Sequence, residues 1–162
     1  MTLLRVTYME LRERPPPQPP ERIAQENLSL QDYLALYRSV GTPLGWDQRL
    51  QMPGKDLAAL LNSGSLSIYV LRDEHNQPIG FCELDHHTPE EIEIKNFGLI
   101  PRAQGRGLGS GLLRTALHQA WQSNTQRIWL HTDTWDHPSA VSVYERAGFK
   151  IYDVREEESG PL

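Results

Sequence analysis

The sequence predicts an α/β (α+β) fold in which a mixed β-sheet carries helices on its faces. The chain has 162 residues, of which 38% are hydrophobic, enough for the core of one domain. Segments rich in β-forming residues follow one another between residues 66 and 100. Beyond residue 100, extended and helical periodicities alternate, which indicates helices packed against a sheet. We therefore expect residues 1–162 to form a single domain.

The first elements are a strand and a proline-rich connector. Leu3–Leu11 mixes apolar and polar residues and predicts a marginal strand. Residues 14–20 have the sequence Arg-Pro-Pro-Pro-Gln-Pro-Pro. Proline removes backbone donors and favours polyproline geometry, so this segment is interpreted as a surface connector. The alternative is a ligand for a proline-binding module, which would make the protein an adaptor.

Two helices are predicted next. Apolar residues recur at helical spacing from Ser29 to Val40. Ser29 is a suitable N-cap, and Gly41 would end the helix. A second helix is predicted over Lys55–Leu61, because Pro-Gly precedes it and Asn-Ser-Gly follows it.

The remaining elements alternate between strands and helices. Turn residues separate the first strands, which predicts a hairpin at residues 66–85. The predicted strands are Leu66–Leu71, Ile79–Asp85, Glu91–Ile100, Arg127–Thr134 and Phe149–Val154, and the predicted helices are Leu108–Ser123 and Ser139–Ala147.

Composition excludes several classes of protein. Sixteen Lys and Arg against twenty-one Asp and Glu give a net charge of −5, which argues against nucleic-acid or anionic-membrane partners. The chain shows neither a membrane-spanning apolar run nor a signal peptide. Cys82 is the only cysteine, which rules out an intramolecular disulfide and fits a cytoplasmic location. No metal site is expected, because His86 and His87 are adjacent in sequence and no Cys-x-x-Cys occurs.

A glycine-rich segment between a strand and a helix is the most informative motif. Residues 104–111 have the sequence Gln-Gly-Arg-Gly-Leu-Gly-Ser-Gly. Glycine inside a helix costs about 1 kcal/mol relative to alanine, so a compensating role is expected. One such role is the close approach of a phosphate to backbone N–H groups at the helix start, and the alternative is a tight turn that packs the helix on the sheet. The dinucleotide pattern fails at Ser110 and Leu112, and no Walker Gly-Lys-Ser/Thr occurs.

Three ordered motifs resemble the GCN5-related N-acetyltransferase (GNAT) superfamily. Gln104, Gly107 and Gly109 match Gln-x-x-Gly-x-Gly, the family's acyl-coenzyme A pyrophosphate loop. The preceding strand ends in Phe-Gly-Leu-Ile-Pro over residues 97–101, and residues 140–149 resemble Ala-x-x-x-Tyr-Glu-x-x-Gly-Phe. The resemblance covers residues 66–154 and implies a mostly antiparallel sheet flanked by helices and splayed between the fourth and fifth predicted strands.

A weaker resemblance is to a bacterial branch of the family that has no assigned substrate. Residues 121–138 carry part of it. The amino-terminal half contributes a Tyr-Arg-x-Val-Gly…Trp…Arg pattern, which starts at Tyr37 and ends at Arg49. This pattern says little about chemistry.

The family resemblance implies transfer of an acetyl group from acetyl-CoA to a primary amine of a small molecule or peptide, by direct attack in a ternary complex. Tyr144 occupies the place of the family's acid, which protonates the departing thiolate; the alternative is an aromatic packed on the sheet. Glu93, eleven residues before Gln104, matches the base of some members. Its alternative is a solvated Glu–Lys pair on a strand face. Glu83 is a reserve for the base, and His131 and His137 are further candidates. The alternative for His131 is packing or hydrogen bonding within its strand.

The resemblance also implies the cofactor contacts. Backbone groups of Leu99 and Ile100 would pair with the pantetheine arm. Loop residues would hold the pyrophosphate, with Arg102 or Arg106 assisting by charge. His137 stands where many members carry an asparagine that contacts pantetheine; helix capping by Asp136 or Ser139 is the alternative there. The loop residues assigned to the cofactor are Gln104, Gly105, Arg106, Gly107, Leu108 and Gly109.

The acceptor and the assembly are less defined. The family's acceptor pocket comes from its first helices and last strands, here residues 29–64 and those after Phe149, with Tyr37, Trp46 and Trp135 as candidate lining residues. A homodimer is compatible with the resemblance. The alternative function is a catalytically inactive coenzyme-A-binding regulatory module.

Overall fold

The computed structural model describes residues 3–19, 21–134, 136–137 and 139–158. Within these residues, one sheet has seven strands in the order β2-β3-β4-β5-β6-β1-β7. The strands are β1 (Leu3–Leu11), β2 (Ile23–Gln25), β3 (Leu66–Arg72), β4 (Pro78–Asp85), β5 (Glu91–Leu99), β6 (Arg127–Asp133) and β7 (Lys150–Glu158).

Five α-helices and two 3-10 turns accompany the sheet in the described residues. The helices are α1 (Leu30–Gly41), α2 (Gln48–Gln51), α3 (Gly54–Asn62), α4 (Leu108–Ala120) and α5 (Ala140–Arg146), and the turns are Thr42–Leu44 and Pro101–Ala103. Every predicted strand and helix is present. The prediction missed β2 and α2, because three and four residues are too few to show a period.

The sheet opens between β5 and β6. All neighbouring strands are antiparallel except this pair, which is parallel and aligned only from Glu91 to Glu93. Beyond Glu93 the two strands separate, which confirms the splay expected between the fourth and fifth predicted strands. A register shift between β4 and β5 inserts Lys95 as an extra residue just where the strands part. Such a bulge bends and twists its strand.

Helices cover each face of the sheet unequally. One face packs against α4 and α5 through a core that includes Leu112, Leu117 and Leu130. The other packs against α1 and α3 only over its β3–β5 half, through Leu36 and Phe81 among others. The β6-β1-β7 half of that second face therefore has no helix of the described chain over it.

The predicted capping of α1 is confirmed. The Ser29 hydroxyl accepts a hydrogen bond from the Asp32 N–H at 3.1 Å. At the other end, Gly41 is the last residue of the helix, and the Trp46 ring lies against it so closely that a Cβ would clash. The Gly…Trp part of the Tyr-Arg-x-Val-Gly…Trp…Arg pattern is therefore explained by the packing of Trp46 on Gly41.

The proline-rich segment is a connector, as predicted. It leads from β1 toward β2, which lie in different halves of the sheet. The Arg14 guanidinium donates to the His118 carbonyl of α4 at 2.9 Å, and His118 Nδ1 lies 2.9 Å from the Pro15 carbonyl. These contacts tie the segment to the end of α4. Pro20 lies outside the described residues, and the adaptor role stays a prediction.

Candidate active site

A cavity of about 540 Å³ lies where β5 and β6 separate. The ends of these strands form its sides, and the glycine-rich loop with the first turn of α4 forms one end. Residues of α5 lie along it, and the segment from Tyr37 to Gln51 closes the other end. No helix of the described chain is long and apolar enough to cross a membrane.

The glycine-rich loop has a backbone that glycine alone adopts easily. Gly105 and Gly107 both have φ of +76°, in the left-handed region, and Gly107 precedes α4 without a side-chain cap. A Cβ at either position would meet no atom within 4 Å, so space is open beside both residues. Gln104 anchors the loop, because its side-chain amide donates to the Leu99 carbonyl at 3.1 Å.

Most of the predicted cofactor residues lie at the cavity, and some do not. Those that line it are Leu99, Gln104, Gly105, Gly107, Gly109 and His137. Arg106, which is exposed, and Leu108 are not among its lining residues. Arg102 is exposed and pairs with Asp73 at 3.2 Å.

The expectation of free backbone groups at Ile100 is wrong. Its N–H donates to the Ile79 carbonyl at 2.9 Å, and its carbonyl accepts from the Ala103 N–H at 3.0 Å. The turn that starts at Pro101 carries the chain away from the cavity, so Ile100 does not line it. Only the strand residues before it, up to Leu99, border the opening.

Tyr144 lies at the cavity, nearly enclosed by aromatic rings. Its side chain is buried, with ring centroids 5.7 Å from Phe97 and 5.6 Å from Phe149. Burial, and then the nearby Cys82 and Asp136, raise the pKa of Tyr144 well above its usual value of 10. The phenol therefore keeps its proton at neutral pH. Tyr144 is thus both an aromatic residue packed in the core and a protonated phenol at the cavity.

His137 bonds to Ser139, the residue just before α5, and neither Asp136 nor Ser139 caps this helix as the sequence analysis allowed. The Ser139 N–H and hydroxyl lie 3.1 and 2.7 Å from His137 Nδ1, whereas Ser139 makes no side-chain capping bond. When Nδ1 accepts, the neutral ring carries its proton on Nε2. Asp136 instead accepts from the Asp133 N–H at 3.2 Å and from the Trp46 indole at 3.4 Å. Trp135 lies outside the described residues.

Glu93 does not line the cavity. Its carboxylate lies 3.1 Å from Lys95 Nζ and 3.9 Å from His131 Nε2. The Glu–Lys pair considered in the sequence analysis is therefore present, and the role of Glu93 as base stays a prediction. His131, in contrast, is a lining residue.

Glu83 is sealed inside the protein, so its reserve role as base is corrected. Its side chain is fully buried and pairs with the Arg49 guanidinium. It also accepts from the Tyr33 hydroxyl and, at 3.2 Å, from the Asn96 amide. A carboxylate held by three donors away from the cavity cannot reach a substrate. Burial, and then the charge of Glu83, raise the pKa of Tyr33 far above its usual value.

The Arg49–Glu83 pair is the feature that sequence reasoning missed. The two residues lie 34 positions apart, and Arg49 stood out only as the end of the weaker pattern. The Arg49 N–H also donates to the Tyr37 hydroxyl at 3.4 Å. The pair thus fastens α2 and α1 to β4 behind the wall that closes the cavity.

The described residues thus form a splayed sheet with a left-handed glycine loop at the N-terminus of α4, beside the opening. A model of the "Acetyltransferase (GNAT) family" matches residues 15–149, so the chain belongs to this family. The family predicted from the sequence is confirmed.

The similarity to individual proteins is partial. A mycothiol acetyltransferase of Streptomyces griseus is 33% identical over 87 residues, which are 53% of this chain and 28% of that protein. A [ribosomal protein bS18]-alanine N-acetyltransferase of Haemophilus influenzae is 31% identical over 94 residues, 58% of this chain and 62% of the relative. The chain thus spans less than two thirds of either protein.

Solved structures share the fold. A putative GNAT-family acetyltransferase from Novosphingobium aromaticivorans has a TM-score of 0.71 at 16% identity, over 96% of this chain and 63% of that one. A chimeric spermidine N-acetyltransferase of Vibrio cholerae and hSSAT has a TM-score of 0.60 at 22% identity, over 78% of this chain and 80% of that one. At these identities the likeness concerns the fold alone.

Proposed function

We propose that this protein is an acetyl-CoA-dependent N-acetyltransferase that acts on a primary amine of a small molecule or peptide. One observation carries the proposal: a single cavity has a left-handed glycine loop at one end and a buried, protonated phenol, Tyr144, along its side. The two groups suit two parts of an acyl-coenzyme A, the diphosphate and the thioester at the far end of the pantetheine arm. The names of the relatives, all acetyltransferases, support the same chemistry.

The cofactor would bind through main-chain groups. Backbone N–H groups between Gln104 and Gly109 would hold the diphosphate at the positive end of the α4 dipole. The edge of β5 at Phe97 and Leu99, left open by the departure of β6, would pair with the pantetheine amides as a neighbouring strand does. The Nε2–H of His137 would donate a further hydrogen bond to the arm, in place of an asparagine amide.

The reaction joins the acceptor nitrogen to the acetyl carbon. The neutral amine attacks the thioester carbonyl, the N–C bond forms, and the C–S bond breaks. The amine loses one proton to a base, and Tyr144 donates one proton to the thiolate, so that the products are an amide and free coenzyme A. Tyr144 is protonated at neutral pH and lies at the cavity, as this step requires.

Replacement of Tyr144 by phenylalanine tests the proposal. Thiol release from acetyl-CoA is measured with spermidine and with an alanine-initiated peptide as acceptors, and acetyl-CoA binding is measured by calorimetry. We expect kcat to fall by about 10²-fold or more, the usual contribution of a general acid, while the Kd for acetyl-CoA stays unchanged. The matched control is Tyr69→Phe, since Tyr69 is a buried tyrosine on β3 that does not line the cavity.

Two results would overturn the proposal. If acetyl-CoA neither binds nor raises the midpoint of thermal unfolding, the cavity is not its site. If acetyl-CoA binds but thiol release is equal in the wild type and in Tyr144→Phe, Tyr144 is a packing residue and not the acid.

A further inference from the structure

We propose that His131 is the base that takes the proton of the acceptor amine, and that Glu93 is the residue that positions its imidazole. This inference rests on the proposed function and assigns a group that the reaction needs. It also gives Glu93 a different role from the one that the family resemblance implied.

The position of His131 follows from the splay of the sheet. The parallel pairing of β5 with β6 ends at Glu93 opposite Trp129. His131 is the next residue of β6 on the same face, so it is the first side chain of that face to border the opening. It lines the cavity, and its side chain is 48% exposed, which leaves it accessible to an acceptor and to water.

His131 and Tyr144 approach the opening from opposite faces. Leu130 and its neighbour Met9 are buried in the same core as Tyr144, under α4 and α5. Because side chains alternate along a strand, His131 and its cross-strand partner Tyr8 point to the other face. An acid on the cofactor's side and a base on the other side would suit a thioester that meets an amine across the sheet.

Glu93 lies where it can orient the imidazole. Its Oε2 is 3.9 Å from His131 Nε2, while its Oε1 is held by Lys95 at 3.1 Å. Contacts of this kind are commonly long before substrates bind and shorten afterwards. With Nε2–H directed at the carboxylate, the lone pair of Nδ1 is left to accept a proton. Glu93 would also stabilise the imidazolium that results.

The other candidates are less suited. Glu83 is occupied by three donors away from the cavity, and Glu93 does not line it. Nδ1 of His137 lies within hydrogen-bond distance of the Ser139 N–H and hydroxyl. The charged and titratable groups around His131 are Glu93 and Lys95 from β5, Tyr8 from β1 with Arg155 of β7 over its ring, and Asp133 farther along β6.

The proton balance closes through solvent. Nδ1 takes the proton that the nitrogen loses as the N–C bond forms, and Tyr144 gives one to the sulfur as the C–S bond breaks. The exposed imidazolium then releases its proton to water, and the Tyr144 phenolate recovers one, so both groups return to their starting forms.

The test is the pH dependence of acceptor turnover in His131→Gln and Glu93→Gln, with His87→Gln at an exposed histidine as the control. We expect the wild type to lose kcat/KM for the acceptor as pH falls between about 8 and 5, the range in which histidine titrates. His131→Gln should remove this limb and lower kcat by about 10²-fold at neutral pH, with acetyl-CoA binding unchanged. Glu93→Gln should keep the limb but lower kcat, with acetyl-CoA binding unchanged, because the imidazole loses the carboxylate that orients it.

A second measurement needs no acceptor. The ring nitrogen resonances of His131, assigned by their loss in His131→Gln, are recorded by NMR, and Glu93→Gln should lower the share of the Nε2–H tautomer. The proposal is overturned if that share does not change, or if Glu93→Gln abolishes the limb while His131→Gln retains it. Turnover by the wild type with either result would leave the acetyltransferase function standing.

Discussion

The buried ion pair behind the cavity wall makes a quantitative prediction. Glu83 is fully buried and the Arg49 side chain is only 14% exposed, so water would solvate either charge poorly if its partner were removed. The change Arg49→Met removes the cation and leaves the carboxylate unpaired. Breaking a buried pair from one side costs about 3–5 kcal/mol, and we expect the free energy of unfolding in urea to fall by that amount.

Two further variants separate charge from packing. The double variant Arg49→Met/Glu83→Gln removes both charges and keeps a carbonyl acceptor for Tyr33 and Asn96. Because an ion pair replaced on both sides can be nearly neutral, it should recover most of the lost stability. The matched control is Arg72→Met, which breaks a pair with Glu26 whose side chains are 28% and 26% exposed, and it should cost about 1 kcal/mol or less.

The results that would refute this reasoning are definite. If Arg49→Met costs no more than Arg72→Met, burial does not set the cost of the lost cation. If the double variant is as unstable as Arg49→Met, the damage comes from lost packing of the guanidinium stem and not from an unpaired carboxylate.

Two other predictions concern the loop and the response to acid. Gly107→Ala places a methyl group at a φ of +76°, which costs about 1 kcal/mol of stability. We expect the Kd of this variant for acetyl-CoA, measured by calorimetry, to rise at least tenfold. The control Gly64→Ala, with φ +79° away from the cavity, should lose similar stability and bind acetyl-CoA as the wild type does. Equal binding by both variants would contradict the loop's role. Arg12 and Arg127 hold the pKa of Glu10 below its usual 4.5, so its stabilisation is present above that pH and is lost as pH falls through the lower value. The free energy of unfolding in urea should fall less between pH 7 and pH 3 in Glu10→Gln than in the control Glu74→Gln. Equal falls would contradict the role of Glu10.

Long elements could be predicted because each repeats one signal many times. The bounds of β1, Leu3–Leu11, agree with the prediction at both ends, and α4 begins at the predicted Leu108. Short elements carry no such signal, which explains why β2 and α2 were missed. The capping at α5 differed for another reason: Asp136 and Ser139 have the right chemistry, but Asp136 bonds to the Asp133 N–H and the Ser139 hydroxyl bonds to the His137 imidazole.

The candidate site also has one part that could be predicted from the sequence and one part that could not. Its loop could be predicted, since glycine is the residue that tolerates the left-handed backbone at 105 and 107. The roles of the carboxylates could not, because they depend on partners from other elements. Glu83 meets Arg49 across 34 residues, and Glu93 meets His131 across 38 residues.

The amino-acid sequence by itself determined the order of the longer strands and helices, the family and the glycine loop. These are properties of neighbouring residues, written into local spacing and backbone preference. Only the tertiary structure decided which acidic group is sealed in the core, which lies beside an imidazole, and that Ile100 turns away from the opening. Burial and distance between elements exist only once the sheet has been assembled and has splayed.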